Sequence, residues 1–226
     1  MTAISGARAT SDMYRAMVGV GLVCGLLIVT VFEVTLPAIT RNKAEALERA
    51  IFAVLPEAAS STTYQYVDGQ GFLAVPSEAS SPATDIVYAG YDAGGVLVGF
   101  AVEAQGMGYQ DVVRILYGYA FDRDAVIGMR VLESRETPGL GDRIETDEAF
   151  LTNFDRLDVS LSDDGSIANP IVAVKHGTKN NAWEIDAITG ATISSNAVAD
   201  MLRLSTTRWI PLIRANLQDF NAENVP

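Results

Sequence analysis

At 226 residues the chain can form one modest domain with attachments and a buried core. Its net charge of −12 argues against a basic surface for nucleic acid or anionic headgroups. One cysteine, Cys24, and one histidine, His176, exclude an internal disulfide, a cysteine-ligated cluster and a histidine-rich metal site.

Residues 1–12 form a short leading tail, and residues 13–39 carry the apolar run of the chain. The uncharged stretch Ala16 to Phe32 gives roughly 25 Å of helix against a hydrocarbon core of about 30 Å. Val34 to Ile39 extends it, with Glu33 at the interface, Tyr14 and Arg15 as an anchor, and Pro37 near the helix end. Arg41 and Lys43 downstream argue against a cleaved signal peptide, and Val23 before Cys24 argues against a lipoprotein signal. The expectation is an uncleaved single-span anchor. Charge does not orient it, because Arg8 and Arg15 on one flank balance Arg41, Lys43 and Arg49 on the other.

Residues 40–56 read as a separate amphipathic helix. Asn42 and Glu45 form a capping box, Ala44, Leu47, Ile51 and Leu55 repeat with helical spacing, and Pro56 stops the run. Residues 57–217 are expected to form the soluble domain, with loops, short strands and mobility up to Thr84. Two hairpins follow. The first pairs Asp85–Tyr91 with Val96–Val102 around Asp92-Ala93-Gly94-Gly95; the second pairs Val113–Phe121 with Ala125–Leu132 around Asp122-Arg123-Asp124. An antiparallel sheet is therefore expected, and with helices before and after it the fold class is α+β. Ile115, Tyr117, Tyr119 and Phe121 share one strand face, read as core in preference to a stacking platform for a ligand.

Gln105-Gly106-Met107-Gly108-Tyr109 is not a dinucleotide fingerprint, since no third glycine and no helix follow. Glu136-Thr137-Pro138-Gly139-Leu140-Gly141 is a tight turn in which proline fixes φ and glycine admits a left-handed angle. Glu145–Phe154 predicts a short helix with Ala149, Phe150 and Phe154 inward. Asp163-Asp164-Gly165 lacks the further ligands of a calcium loop, and His176 has no nucleophile motif beside it. No catalytic residue and no metal ligand are assigned.

The densest chemistry is Asp186-Ala187-Ile188-Thr189-Gly190-Ala191-Thr192, leading through Ser194 and Ser195 into a helix. Val198, Met201, Leu202 and Ser205 place the helix start near Ser194 or Ser195, where hydroxyls cap free N–H groups. Such a start suits a phosphate, although on local chemistry alone an ordinary cap is the commoner reading. The helix is expected to end near Trp209 before Pro211, leaving residues 218–226 as a polar tail.

Asp-x-x-Thr-Gly-Ala-Thr at 186–192 closely resembles the flavinylation motif of FMN-binding subunits in Rnf and sodium-pumping NADH:quinone oxidoreductase complexes. The resemblance implies FMN joined through its phosphate to Thr192 by a separate flavin transferase, with Asp186, Thr189, Gly190 and Ala191 as recognition context. Thr189, Ser194 and Ser195 would then hydrogen-bond the phosphate. Glu136 to Gly141 matches the family's ring-contacting segment letter for letter, and Gly106, Gly108 and Tyr109 resemble its glycine-aromatic segment.

It further implies a single-pass subunit of the cytoplasmic membrane with a cytoplasmic tail and the FMN domain on the outer, periplasmic face. It would carry electrons between flavin- and iron–sulfur-bearing partner subunits of an ion-translocating ferredoxin:NAD⁺ oxidoreductase. The length favours the G subunit of Rnf complexes over the C subunit of the quinone reductase. A different class stays open: a membrane-anchored, non-redox binding module whose hydroxyl-rich turn only caps a helix.

Overall fold

Alternating β-branched and aromatic residues in the middle of the chain set the architecture. A computed structural model describes residues 3–76 and 85–220. Six strands form a continuous antiparallel run: β1 (Ser60–Val67), β2 (Gly71–Ala74), β3 (Ile86–Tyr91), β4 (Leu97–Met107), β5 (Val112–Ala120) and β6 (Ala125–Glu133). A short β7 (Leu157–Asp158) completes a seven-stranded sheet in the order β2-β1-β3-β4-β5-β6-β7. Both expected hairpins are present, with Gly95 at φ +77° closing the first and Asp124 at φ +46° closing the second. A separate pair, β8 (Val172–Val174) and β9 (Glu184–Asp186), runs parallel, which the hairpin reading did not anticipate.

The chain divides into two compact units, Met1–Ala46 and Leu47–Pro226. The described residues of the first lie within helix α1 (Ala3–Val54), whose residues from Met13 onward form the one helix among those described that is long and apolar enough to cross a membrane. The expected break between an anchor ending at residue 39 and a second helix from residue 40 is absent. Pro37 lies inside the helix, where the hydroxyls of Thr35 and Thr40 bond back to the carbonyls of Val31 and Leu36. Because the helix is already running, Asn42 and Glu45 have no start to cap. Residues 1 and 2 of the leading tail lie outside the described residues, and residues 3–12 are helical.

In the second unit the sheet is covered on both faces. Ile51, Val54 and Leu55 pack on Tyr88, Ala101 and Leu116. On the opposite face Val113, Ile115, Tyr117 and Tyr119 meet Val198, Met201, Leu202, Ile210 and Ile213 of α4 (Thr192–Ala215). The aromatic strand face is therefore core. The Tyr117 hydroxyl bonds to Ser205 at 2.9 Å, and burial pushes its phenol well above the ordinary tyrosine value.

The short strands expected before Thr84 are β1 and β2, paired with each other, and residues 77–84 lie outside the described residues. Three expectations change. The predicted helix 145–154 is α2 (Arg143–Thr146), α3 (Glu148–Leu151) and a 3₁₀ turn (Thr152–Phe154). Asp147 splits it: its extended backbone ends α2 and its carboxylate caps the N–H of Phe150 at 3.1 Å. Phe150 and Phe154 are buried as expected, but Ala149 is exposed.

Helix α4 continues past Pro211 to Ala215, because the carbonyl of Thr207 that loses its partner lies on an exposed turn. The tail expected from Gln218 is ordered through Phe220. That ring packs within 4.8 Å of Tyr64, Phe72 and Phe100, and its carbonyl accepts from Tyr91 Oη at 2.9 Å. Residues 221–226 lie outside the described residues.

Candidate functional site

The segment after β9 turns sharply before α4. Gly190 takes φ +89°, a left-handed angle that glycine adopts without steric cost, and Ala191 N donates to Ile188 O at 3.1 Å. Helix α4 then begins at Thr192, earlier than the expected start at Ser194 or Ser195. Its cap residue is Ala191, with no side-chain hydrogen bond, and the first helical bond runs from Ser195 N to Ala191 O at 2.9 Å. The opening N–H groups of a helix have no intrahelical acceptor. Thr192 is the first helical residue and is exposed, as are Thr189 and Gly190, whereas Ala191 is buried.

Ser194 and Ser195 do not cap and do not face the surface. Ser195 is fully buried and its Oγ accepts from Ile188 N at 3.1 Å, which fixes the turn before the helix. Ser194 donates from Oγ to Oε2 of Glu136. Both hydroxyls bond inside the domain, whereas the resemblance implies that they bond a phosphate.

Asp186 is held from three sides. Asn153, 5% exposed, accepts from Asp186 N at 3.0 Å and donates to its carbonyl at 3.2 Å. The Asp186 carboxylate accepts from Gly177 N at 2.7 Å and stands 3.3 Å from His176 Nδ1. Lys179 Nζ reaches Asn153 Oδ1 at 3.0 Å, and burial lowers its pKa below the ordinary lysine value. Asn153 escaped the sequence reading, because one asparagine in an amphipathic run carries no signal of a partner 33 residues away.

The proline–glycine bend lies beside this motif. Leu140 N closes it onto Thr137 O at 3.1 Å, Gly139 takes φ +77°, and Pro138, Gly139 and Leu140 are exposed. Thr137 Oγ1 donates to Gln110 Oε1 at 3.1 Å. Glu136 itself is buried, and its Oε1 accepts from Gln110 N at 2.9 Å. Arg143, just after the bend, donates to Thr189 O at 3.1 Å and pairs with Asp147. The bend, the 108–111 turn and the start of α4 are thus joined by hydrogen bonds.

The glycine-aromatic segment separates by role. A Cβ on Gly106 would come within 2.7 Å of Met201 Cγ, so this glycine serves the packing of α4 on β4. A Cβ on Gly108 would stand 2.5 Å from Glu136 Oε1. Tyr109 is 66% exposed, Leu140 53% and Ile193 55%. A cleft of about 200 Å³ lined by Asp111, Val112, Arg114, Glu133 and Arg135 contains none of the motif residues. The candidate site is a surface: an exposed hydroxyl at a helix N-terminus, beside a braced bend and three exposed apolar side chains.

Residues 108–205, which span the bend and the motif, match the FMN-binding domain family. Over 201 residues the chain is 32% identical to the G subunit of the ion-translocating oxidoreductase complex of Methanosarcina acetivorans, covering 88% of this chain and 94% of that one. The G subunit of the complex of the same name from Cereibacter sphaeroides is 29% identical over 82% of this chain and 78% of its own. Among solved structures, NqrC of Shewanella oneidensis superposes with a TM-score of 0.59 at 18% identity, over 80% of this chain and 98% of that one. The C subunit of the Na⁺-translocating NADH-quinone reductase of Parabacteroides distasonis gives 0.58 at 16%, over 77% and 95%. At these identities the structures establish a shared fold.

Proposed function

This chain belongs to the family of ion-translocating oxidoreductase complex G subunits, and from that premise we propose that it carries FMN bonded through its phosphate to Thr192. The observation that carries the reading is the exposed Thr192 at the first position of α4. A phosphate on its Oγ meets the opening N–H groups of the helix and the positive end of its dipole. The cap residue, Ala191, has no side-chain acceptor to offer those groups. Thr189 and Gly190, both exposed, leave the approach open.

FMN, when bound, supplies electron transfer in single steps between partners. The chain's own residues tether and position it. Thr192 holds the phosphate, and the bend at Thr137–Gly141 with Tyr109 borders the ring. Asp186, fixed by Asn153, sets the path of the motif into the turn. Tethering replaces loss by dilution with a high local concentration, which suits a cofactor on an open surface.

We read α1 as a single membrane span of the cytoplasmic membrane, with the sheet domain on its outer, periplasmic side. In this reading the electron partners are flavin- and iron–sulfur-bearing subunits of the same complex, and a flavin transferase matures the chain. The isolated chain then has no complete activity. Co-expressing the full chain with a flavin transferase, then denaturing it, tests the proposal. A fluorescent protein band is expected, and its absence would favour the non-redox binding module.

A further inference from the structure

Glu136 is the one buried carboxylate at the site, and its geometry differs from that of a ligand-contacting group. Each of its oxygens is used: Oε1 accepts from Gln110 N at 2.9 Å and Oε2 accepts from Ser194 Oγ. Two glycines wall it in. A Cβ on Gly108 would stand 2.5 Å from Oε1, and a Cβ on Gly141 would overlap Oε2 and approach Ser194 Oγ to 2.9 Å. At 5% exposure the carboxylate has little surface left for a cofactor. Among the described residues it makes no ion pair, so its two hydrogen bonds are what offset its burial.

Gathered around this carboxylate are Gly108, Gln110, Gly141 and Ser194. Among their immediate chain neighbours are Tyr109, Leu140 and Ile193, large apolar side chains left exposed. Glu136 bonds the segments of Gln110 and Ser194 and stands against Gly141, so one buried side chain links the three places from which those apolar groups project.

We propose that Glu136 is a positioning residue, a buried latch that sets Tyr109, Leu140 and Ile193 as an apolar rim for the flavin ring without touching the cofactor. This rests on the tethered-FMN reading and adds to it which residue orders the ring's surroundings. The latch and the tether are separate: attachment needs the motif ending at Thr192, whereas the ring's environment needs Glu136.

The test uses the full-length chain matured with a flavin transferase, as wild type, Glu136→Ala, Glu136→Gln and Ser194→Ala. Readouts are flavin on the denatured band, flavin fluorescence of the native protein relative to the denatured one, and the flavin midpoint potential. All four are expected to carry flavin. In the wild type the native signal is quenched. In Glu136→Ala it rises toward the denatured value and the potential shifts, with Ser194→Ala between the two. Glu136→Gln restores most of the quenching, because its carbonyl can accept from Gln110 N while its amide donates to Ser194 Oγ.

Native fluorescence and potential unchanged in a folded, flavin-bearing Glu136→Ala would overturn the latch. Loss of attachment in that variant alone would overturn it too, by placing Glu136 in the maturation step. Should Glu136→Ala fail to fold, Ser194→Ala decides: wild-type quenching in that variant refutes the latch. A wild-type chain without flavin fails the function reading itself, a result distinct from these.

Discussion

The site has an inner layer and an outer rim that share sequence but not chemistry. Inside, Glu136, Ser194, Ser195 and Asn153 are buried, and their polar atoms bond other parts of the same domain. Outside, Thr189, Gly190, Thr192, Leu140 and Tyr109 are exposed. Within the four residues 192–195 the chain crosses between them: Thr192 and Ile193 face out, Ser194 and Ser195 face in. The hydroxyl-rich stretch is therefore two devices in succession. One presents an exposed hydroxyl, and the other anchors the turn that presents it.

That division predicts opposite phenotypes for neighbouring hydroxyls. Thr192→Val should abolish covalent flavin while changing stability by no more than about 0.5 kcal/mol, since the side chain is exposed and unbonded to the core. Flavin retained on the denatured variant would show that the attachment residue lies elsewhere. Ser195→Ala should do the reverse. It leaves the buried N–H of Ile188 without its acceptor, at a cost of about 1–3 kcal/mol read as a lower denaturation midpoint. Asn153→Ala belongs to the same class, with a loss of similar size because Asp186 N–H loses its partner.

A smaller contrast separates the glycines of the bend. Gly139→Ala should cost about 1 kcal/mol, through the positive φ alone, with no heavy atom within 4 Å of the added methyl. Gly141→Ala should disturb the flavin signal more than Gly139→Ala, because its methyl meets Glu136 and Ser194. Equal spectra for the two would remove the distinction between rim and latch.

The smallest effect concerns pH. Hydrogen bonds from Asn180 N, first, and from Asn181 hold the Glu184 carboxyl below its ordinary value. Since its folded pKa is the lower one, its stabilisation is complete above the unfolded value of about 4.3. That stabilisation is lost as pH falls through the folded value. Melting temperature measured downward from pH 5 should therefore decline less steeply in Glu184→Gln than in the wild type.

What the sequence reveals follows the range of the interactions. The two central hairpins are legible because alternation and turn glycines are local signals, and the ring-bearing strand face is buried as expected. The exposed Thr192 is legible through its motif. The start of α4 is not, because the usual preference of serine for a helix cap yields to bonds across the fold. Ser194 reaches a residue 58 positions away, and Glu136 reaches one 26 positions away. Pro37 and Pro211 mislead for a related reason. Each removes one local bond, while the rest of its helix supplies many.

Peptide mass mapping across position 192, on full-length protein from cells able to attach flavin, tests the central claim most directly. The expected result is a peptide heavier by one FMN less one water, with the modification on Thr192. An unmodified peptide from such cells, or the same mass found on Thr189, would contradict it.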